Sequence, residues 1–242
     1  ERVALEHIRR VVDSILGETT APAPSPDTPA AQTIVNQPVL LSVPYIRQLG
    51  AGADRFSFDS GAAAGAMLVQ AYSGQKPTPD EFFGKAGQTS DASLTLAQIT
   101  AGLTAYGLAS EIRSGLKLGD LALILVTGRP AVLPVKHELL REAGLTGEST
   151  SGIHYVVAVG MDVANVYLHD PLRRDDAGRG LAVPSLLLYR AWTQIGLDAA
   201  STALERAALI PRLALIRRVR VTASILNIRK GPSTNDEILG QV

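Results

Sequence analysis

GIHYVVAVGMDVANVYLHDP, residues 152–171, is the stretch on which the reading of the fold turns. Residues 154–162 and 165–171 read as two apolar strands, and Val163-Ala164 between them reads as a tight turn. In a hairpin, the start of one strand lies beside the end of the next, so Asp170 is expected close to His154. A histidine facing a carboxylate at the mouth of a hairpin fits a general base and the group that orients it. The same residues also fit a plainer account. In that account His154 is a sheet-edge residue and Asp170 caps the turn before Pro171.

Upstream, residues 141–152 form a polar, Gly-containing loop, and PAVLPVK (130–136) reads as a strand. Earlier still come a strand at 39–46 and helices at 61–73, 94–106 and 118–128; a last helix is expected at 184–196. Helices first and strands later point to an α+β fold, with helices packed on a mainly antiparallel sheet. The first 18 residues have helical spacing of apolar side chains, and 19–37 read as a Pro/Ala-rich linker. The folded domain is therefore expected over 38–198, followed by a basic, apolar connector at 199–217. Residues 218–242 carry a strand-turn-strand pattern.

FSFDSGAAAGAML (56–68) runs a polar turn into a helix of small residues. Ser60 at such a helix start can be a nucleophile presented to a cleft. It can equally be an N-cap, because its oxygen satisfies backbone N–H groups of the first turn. Gln48, after the first strand, is by itself a loop amide. The remaining histidines are His7, His137 and His169; His137, just after a strand, can line the cleft but reads as structural. Trp192, at helical spacing from Leu188, reads as core. The loop at 170–180, with Arg173, Arg174, Asp175, Asp176 and Arg179, reads as self-paired surface, with too few convergent oxygens for calcium.

The motifs LLSVPYIRQLG, DSGAAAGAML, TGRPAVLPV, GIHYVVAVGMD and VYLHDP, in that order, resemble the C39-like cysteine peptidases, a bacterial branch of the papain-like fold. The resemblance covers about 38–198. It implies peptide-bond hydrolysis through an acyl-enzyme, without a cofactor or metal. By motif position it implies that Ser60 stands where the family has its nucleophilic cysteine. It likewise places the general base at His154, the orienting carboxylate at Asp170 and an oxyanion-hole amide at Gln48. A serine hydroxyl does not ionise beside an imidazole as a thiol does, so weak or absent activity is expected. Three origins remain open at this point: an engineered knock-out, a natural pseudoenzyme and a serine-using variant. The competing function is a non-catalytic peptide-binding or envelope-interaction module that keeps the cleft.

Composition narrows the partners. The 23 basic and 23 acidic side chains cancel, so no overall field draws the chain to nucleic acid or an anionic membrane. The chain contains no cysteine, which excludes disulfides and thiolate metal sites. No apolar run reaches the roughly 18 residues of a membrane span. The tail TASILNIRKGPSTNDEILGQV resembles the start of a bacterial SH3 domain, with its signature at Leu226 to Ser233. That second resemblance implies an extracytoplasmic, envelope-directed protein and a peptide or protein substrate that includes cell-wall peptide.

Overall fold

The computed structural model describes residues 39–48, 60–87, 93–146, 153–173, 176–194, 204–215, 227–229 and 238–241. The expected helix at 1–18 and linker at 19–37 lie outside them. Nine strands are described: β1 (Val39–Leu40), β2 (Ser110–Arg113), β3 (Ala131–Lys136), β4 (Ile153–Met161), β5 (Asn165–His169), β6 (Leu181–Pro184), β7 (Ala208–Pro211), β8 (Asn227–Arg229) and β9 (Ile238–Gln241). The helices are α1 (Ser60–Ser73), α2 (Pro79–Lys85), α3 (Leu96–Ala105), α4 (Leu118–Val126), α5 (His137–Glu142) and α6 (Ser185–Thr193). β1 to β7 form one sheet in the order β2-β7-β3-β4-β5-β6, with β1 on β4, and every described pairing is antiparallel. This is the α+β, papain-like architecture expected above.

The centre of the sheet is covered on both faces. Successive side chains of a strand point to opposite faces, yet Ala131 to Val135 and His154 to Gly160 are all buried. α1 and α4 pack against β4, while α6 packs against β3, β5 and β6. The expected β4–β5 hairpin is present, with a register shift between Ala158 and Gly160. Its turn is held by the Asp162 carboxylate, which accepts from the N–H groups of Ala164 (2.8 Å) and Asn165 (2.7 Å). Asp and Asn side chains favour turns for this reason.

Ser60 through Val69 are all buried, so α1 is a central helix with no solvent face over that span. Gly65 has a packing reason. A Cβ there would collide with the ring of Phe82 in α2, and the same ring lies against Gly102 of α3. Glycine is thus required for three helices to close around one aromatic side chain. Gly65→Ala is a sharp test because two effects oppose each other. Helix propensity favours alanine by about 1 kcal/mol. Overpacking a rigid core costs about 1–3 kcal/mol, and Phe82 is fully buried. The expected result is a net loss in denaturant unfolding, relieved when Phe82→Leu is combined with it.

Two expectations need correction. The first strand was expected over 39–46, but only Val39 and Leu40 belong to it. Beyond them the Leu41 N–H still reaches Val159 O (2.7 Å), after which Val43 N–H turns back to Leu41 O (3.0 Å) and the chain leaves the sheet. The segment 199–217 was read as connector, yet it contains β7, which pairs with β2 and touches β3 at Val132↔Leu209. All four β7 residues are buried, and Trp192 of α6 donates its indole N–H to Ala207 O (2.7 Å). Trp192 is core, as its spacing suggests. In the tail, β8 and β9 pair with each other antiparallel, in keeping with the strand-turn-strand pattern.

Candidate active site

The hairpin places its two polar ends together. β4 pairs with β5 from Val157↔His169 onward, so His154 lies just beyond the last pair, where β5 runs into Asp170. His154 Nε2 lies 2.7 Å from Asp170 Oδ1, and both side chains are buried. Asp170 is fixed from several sides. Its N–H donates to Gly178 O (2.9 Å), its C=O accepts from the Tyr45 hydroxyl (2.9 Å), and its Oδ1 accepts from Leu172 N–H (3.1 Å). Gly178 must be glycine here, since a Cβ would collide with Asp170 O and the Tyr45 hydroxyl.

Ser60 is the first residue of α1, and its Oγ accepts a hydrogen bond from the N–H of Tyr155 (2.9 Å), the residue after His154. Tyr155 pairs with Pro134 of β3 but lies beyond the β4–β5 pairs, which begin at Val157↔His169, so β5 does not engage its N–H and the serine hydroxyl accepts it. Gln48 is buried, and its backbone N–H donates to Pro171 O (2.8 Å), next to Asp170. Ser60, His154, Asp170 and Gln48 come from four separate stretches, and these bonds draw them to one place.

His137, read from the sequence as structural, belongs to this cluster. It is the first residue of α5, directly after β3, and is wholly buried. Its Nε2 lies 3.1 Å from the second carboxylate oxygen of Asp170, and its ring meets the His154 ring edge-on, centroids 4.6 Å apart. His169 is different. It accepts from Gly180 N–H (3.0 Å) through Nδ1 and donates through Nε2 to Val43 O (2.9 Å), which makes it a structural link.

Burial pushes the His154 pKa below the ordinary histidine value, against the opposing pull of Asp170, so the imidazole is neutral near pH 7. For Asp170, burial works to raise the pKa, but the two histidines and their hydrogen bonds outweigh it. The carboxyl is held well below the usual carboxylate range. A neutral imidazole beside a fixed carboxylate has the protonation state a general base needs.

His137, His154 and Asp170 also form a cluster whose donor atoms lie within 4.8 Å of one another. Two imidazoles and a carboxylate are a plausible donor set for zinc. The Nε2 atoms, however, are already directed at the Asp170 oxygens as hydrogen-bond partners. His137 Nδ1 is buried without a hydrogen-bond partner among the described residues, whereas a ligating histidine normally donates through its second nitrogen. The cluster is therefore better described as a hydrogen-bonded triad than as a metal centre.

The profile of the Peptidase_C39 like family matches residues 40–199, and the chain belongs to that family as a C39-like peptidase domain. Among solved structures it is similar to a protein of Bacillus anthracis described as a C39-like peptidase. The two share 18% identity at a TM-score of 0.52, over 74% of this chain and 100% of the other. It also matches a double glycine motif protease from an AMS/PCAT transporter, solved with its leader peptide. There the identity is 18% and the TM-score 0.38, over 72% of this chain and 97% of the other. No curated protein matches the chain. Among the described residues no helix is long and apolar enough to cross a membrane.

Proposed function

We propose that this domain holds a peptide in a cysteine-peptidase cleft and cleaves it weakly or not at all, because Ser60 occupies the nucleophile position. The observation that carries the reading is the short His154–Asp170 contact beside a helix that begins at Ser60. With Nε2–H donated to Asp170, His154 keeps Nδ1 as its basic nitrogen. In the reaction Ser60 Oγ would attack the peptide carbonyl while its proton passes to Nδ1. The proton then goes to the leaving amine, and water releases the acyl group by the same route. Gln48 and the N-terminus of α1 would supply donors to the developing oxyanion.

The hydroxyl is poorly placed to begin this sequence. It has no thiolate-like state near neutral pH, and its oxygen is already engaged by the Tyr155 N–H. That engagement favours the second reading, a peptide-binding pseudopeptidase. The SH3-like tail supports placing the protein in the cell envelope, with cell-wall peptide as the bound class.

The test is to restore the thiol. In Ser60→Cys the cysteine should have a pKa far below the free-thiol value of about 8.5. At pH 5.5 a thiolate fraction higher by about a thousandfold, offset by weaker intrinsic nucleophilicity, leaves alkylation by iodoacetamide about tenfold faster than for an ordinary cysteine. Ser60→Cys/His154→Ala should lose that excess. Coincident pH profiles for the two variants, both titrating near 8.5, would reject the catalytic assignment and leave Ser60 as a structural acceptor.

A further inference from the structure

We infer that His137 is a positioning residue of this site, holding Asp170 so that the carboxylate presents one fixed oxygen to His154. The inference rests on the peptidase reading above and adds to it a fifth side chain, one that the sequence motifs do not contain.

The argument begins with the carboxylate. An aspartate that contacts one imidazole can rotate about its terminal torsion, and the two oxygens can exchange places. At Asp170 both are taken. Oδ1 meets His154 Nε2 at 2.7 Å and the Leu172 N–H at 3.1 Å, while Oδ2 meets His137 Nε2 at 3.1 Å. Partners on both oxygens fix the plane of the carboxylate and therefore the direction of the His154 ring. Catalytic geometry is sensitive to displacements of about 1 Å, so a clamp on the orienting group acts on the base itself.

The two rings are also locked to each other. Centroids 4.6 Å apart at 64° place the edge of one imidazole against the face of the other, and both side chains are buried. The β3–β4 register brings them together. Val135 faces His154 and Lys136 faces Ile153, so His137 arrives one residue after the paired strand ends.

Hydrogen-bond chemistry sets the protonation pattern. An ionised carboxylate only accepts, so each histidine must carry its proton on Nε2. For His137 this leaves Nδ1 as a bare acceptor, and that atom is buried without a partner among the described residues. An unsatisfied buried acceptor costs stability. A residue kept only for packing would gain by replacement with an apolar side chain of similar volume. Retaining a histidine with one unsatisfied nitrogen is explained by what its other nitrogen does to Asp170.

Two measurements test the inference. In the unaltered chain, long-range ¹H–¹⁵N spectra of ¹⁵N-histidine-labelled protein at pH 7 should show both His137 and His154 as Nε2–H tautomers. A Nδ1–H tautomer at His137 would turn a lone pair toward Asp170 and overturn the proposal. The second measurement uses the Ser60→Cys background at pH 5.5. His137→Met, which keeps volume but removes the donor, should lower the iodoacetamide rate by about threefold or more, toward the His154→Ala level. His137→Gln, whose amide can donate from a similar position, should stay within about twofold of the parent. Equal rates for the parent and His137→Met, with His154→Ala still slower, would overturn the positioning role and leave the peptidase reading intact. Equal rates for all the variants would instead remove the peptidase reading. If His137→Met does not fold, the tautomers of the unaltered chain decide.

Discussion

Replacing Asp170 by alanine is expected to cost the domain about 2–6 kcal/mol in denaturant unfolding, one of the largest effects of any single substitution. The estimate counts the two buried imidazole N–H groups left without an acceptor, at about 1–3 kcal/mol each. Asp170 is wholly buried, and both partners contact it directly. Asp170→Asn should cost less, because the amide keeps the shape and one acceptor and turns its NH₂ toward only one of the histidines. The pH dependence has a definite sign. Because burial lowers the folded pKa of His154, its contribution favours folding above the unfolded value of about 6.5 and is lost as the pH falls below it. Asp170, depressed in the fold, contributes above about pH 4 and less as acid protonates it. The native chain should therefore be more stable at pH 7 than at pH 4, and Asp170→Ala should remove the further acid loss below pH 4. A loss under about 1 kcal/mol at pH 7 would mean that the triad is not held through this carboxylate.

Ending the chain at residue 198, where the sequence reading placed the domain boundary, is expected to abolish cooperative folding; ending it at 217 is expected to preserve it. The shorter chain lacks β7, which stands between β2 and β3. It would expose the β3 edge, leave β2 without its partner, and strip Trp192 of its indole acceptor at Ala207. Removing an inner strand opens backbone donors and acceptors on both flanks, a far larger loss than any one side chain. Circular dichroism melts of the two chains read the difference. A cooperative transition in the 198-residue chain would show β7 to be dispensable.

The His154–Asp170 pair was legible because both its determinants are local. A hairpin of known turn position fixes which residues of two adjacent strands meet, and strong apolar runs mark the strands. His137 was not legible. Its approach to Asp170 depends on the β3–β4 register and on the abrupt start of α5, and neither leaves a pattern in the residues around position 137. β7 was missed for a related reason. Four apolar residues ending in Pro211, next to charged side chains, look like a connector until the sheet shows a gap that they fill. At the first strand, high β propensity was overridden when the chain turned at Leu41–Val43 and left the sheet. Ser60 was placed correctly at a helix start, but its partner was not an N–H of its own helix.

The Tyr155 N–H bond to Ser60 joins positions 95 residues apart, and it has a kinetic consequence. A backbone proton donated to a facing strand exchanges with solvent when the sheet frays. This one is donated to a hydroxyl on a helix, so it exchanges when α1 parts from β4. Its exchange lifetime therefore clocks the breathing of the seam between the helical and the sheet halves, separately from the unfolding of either.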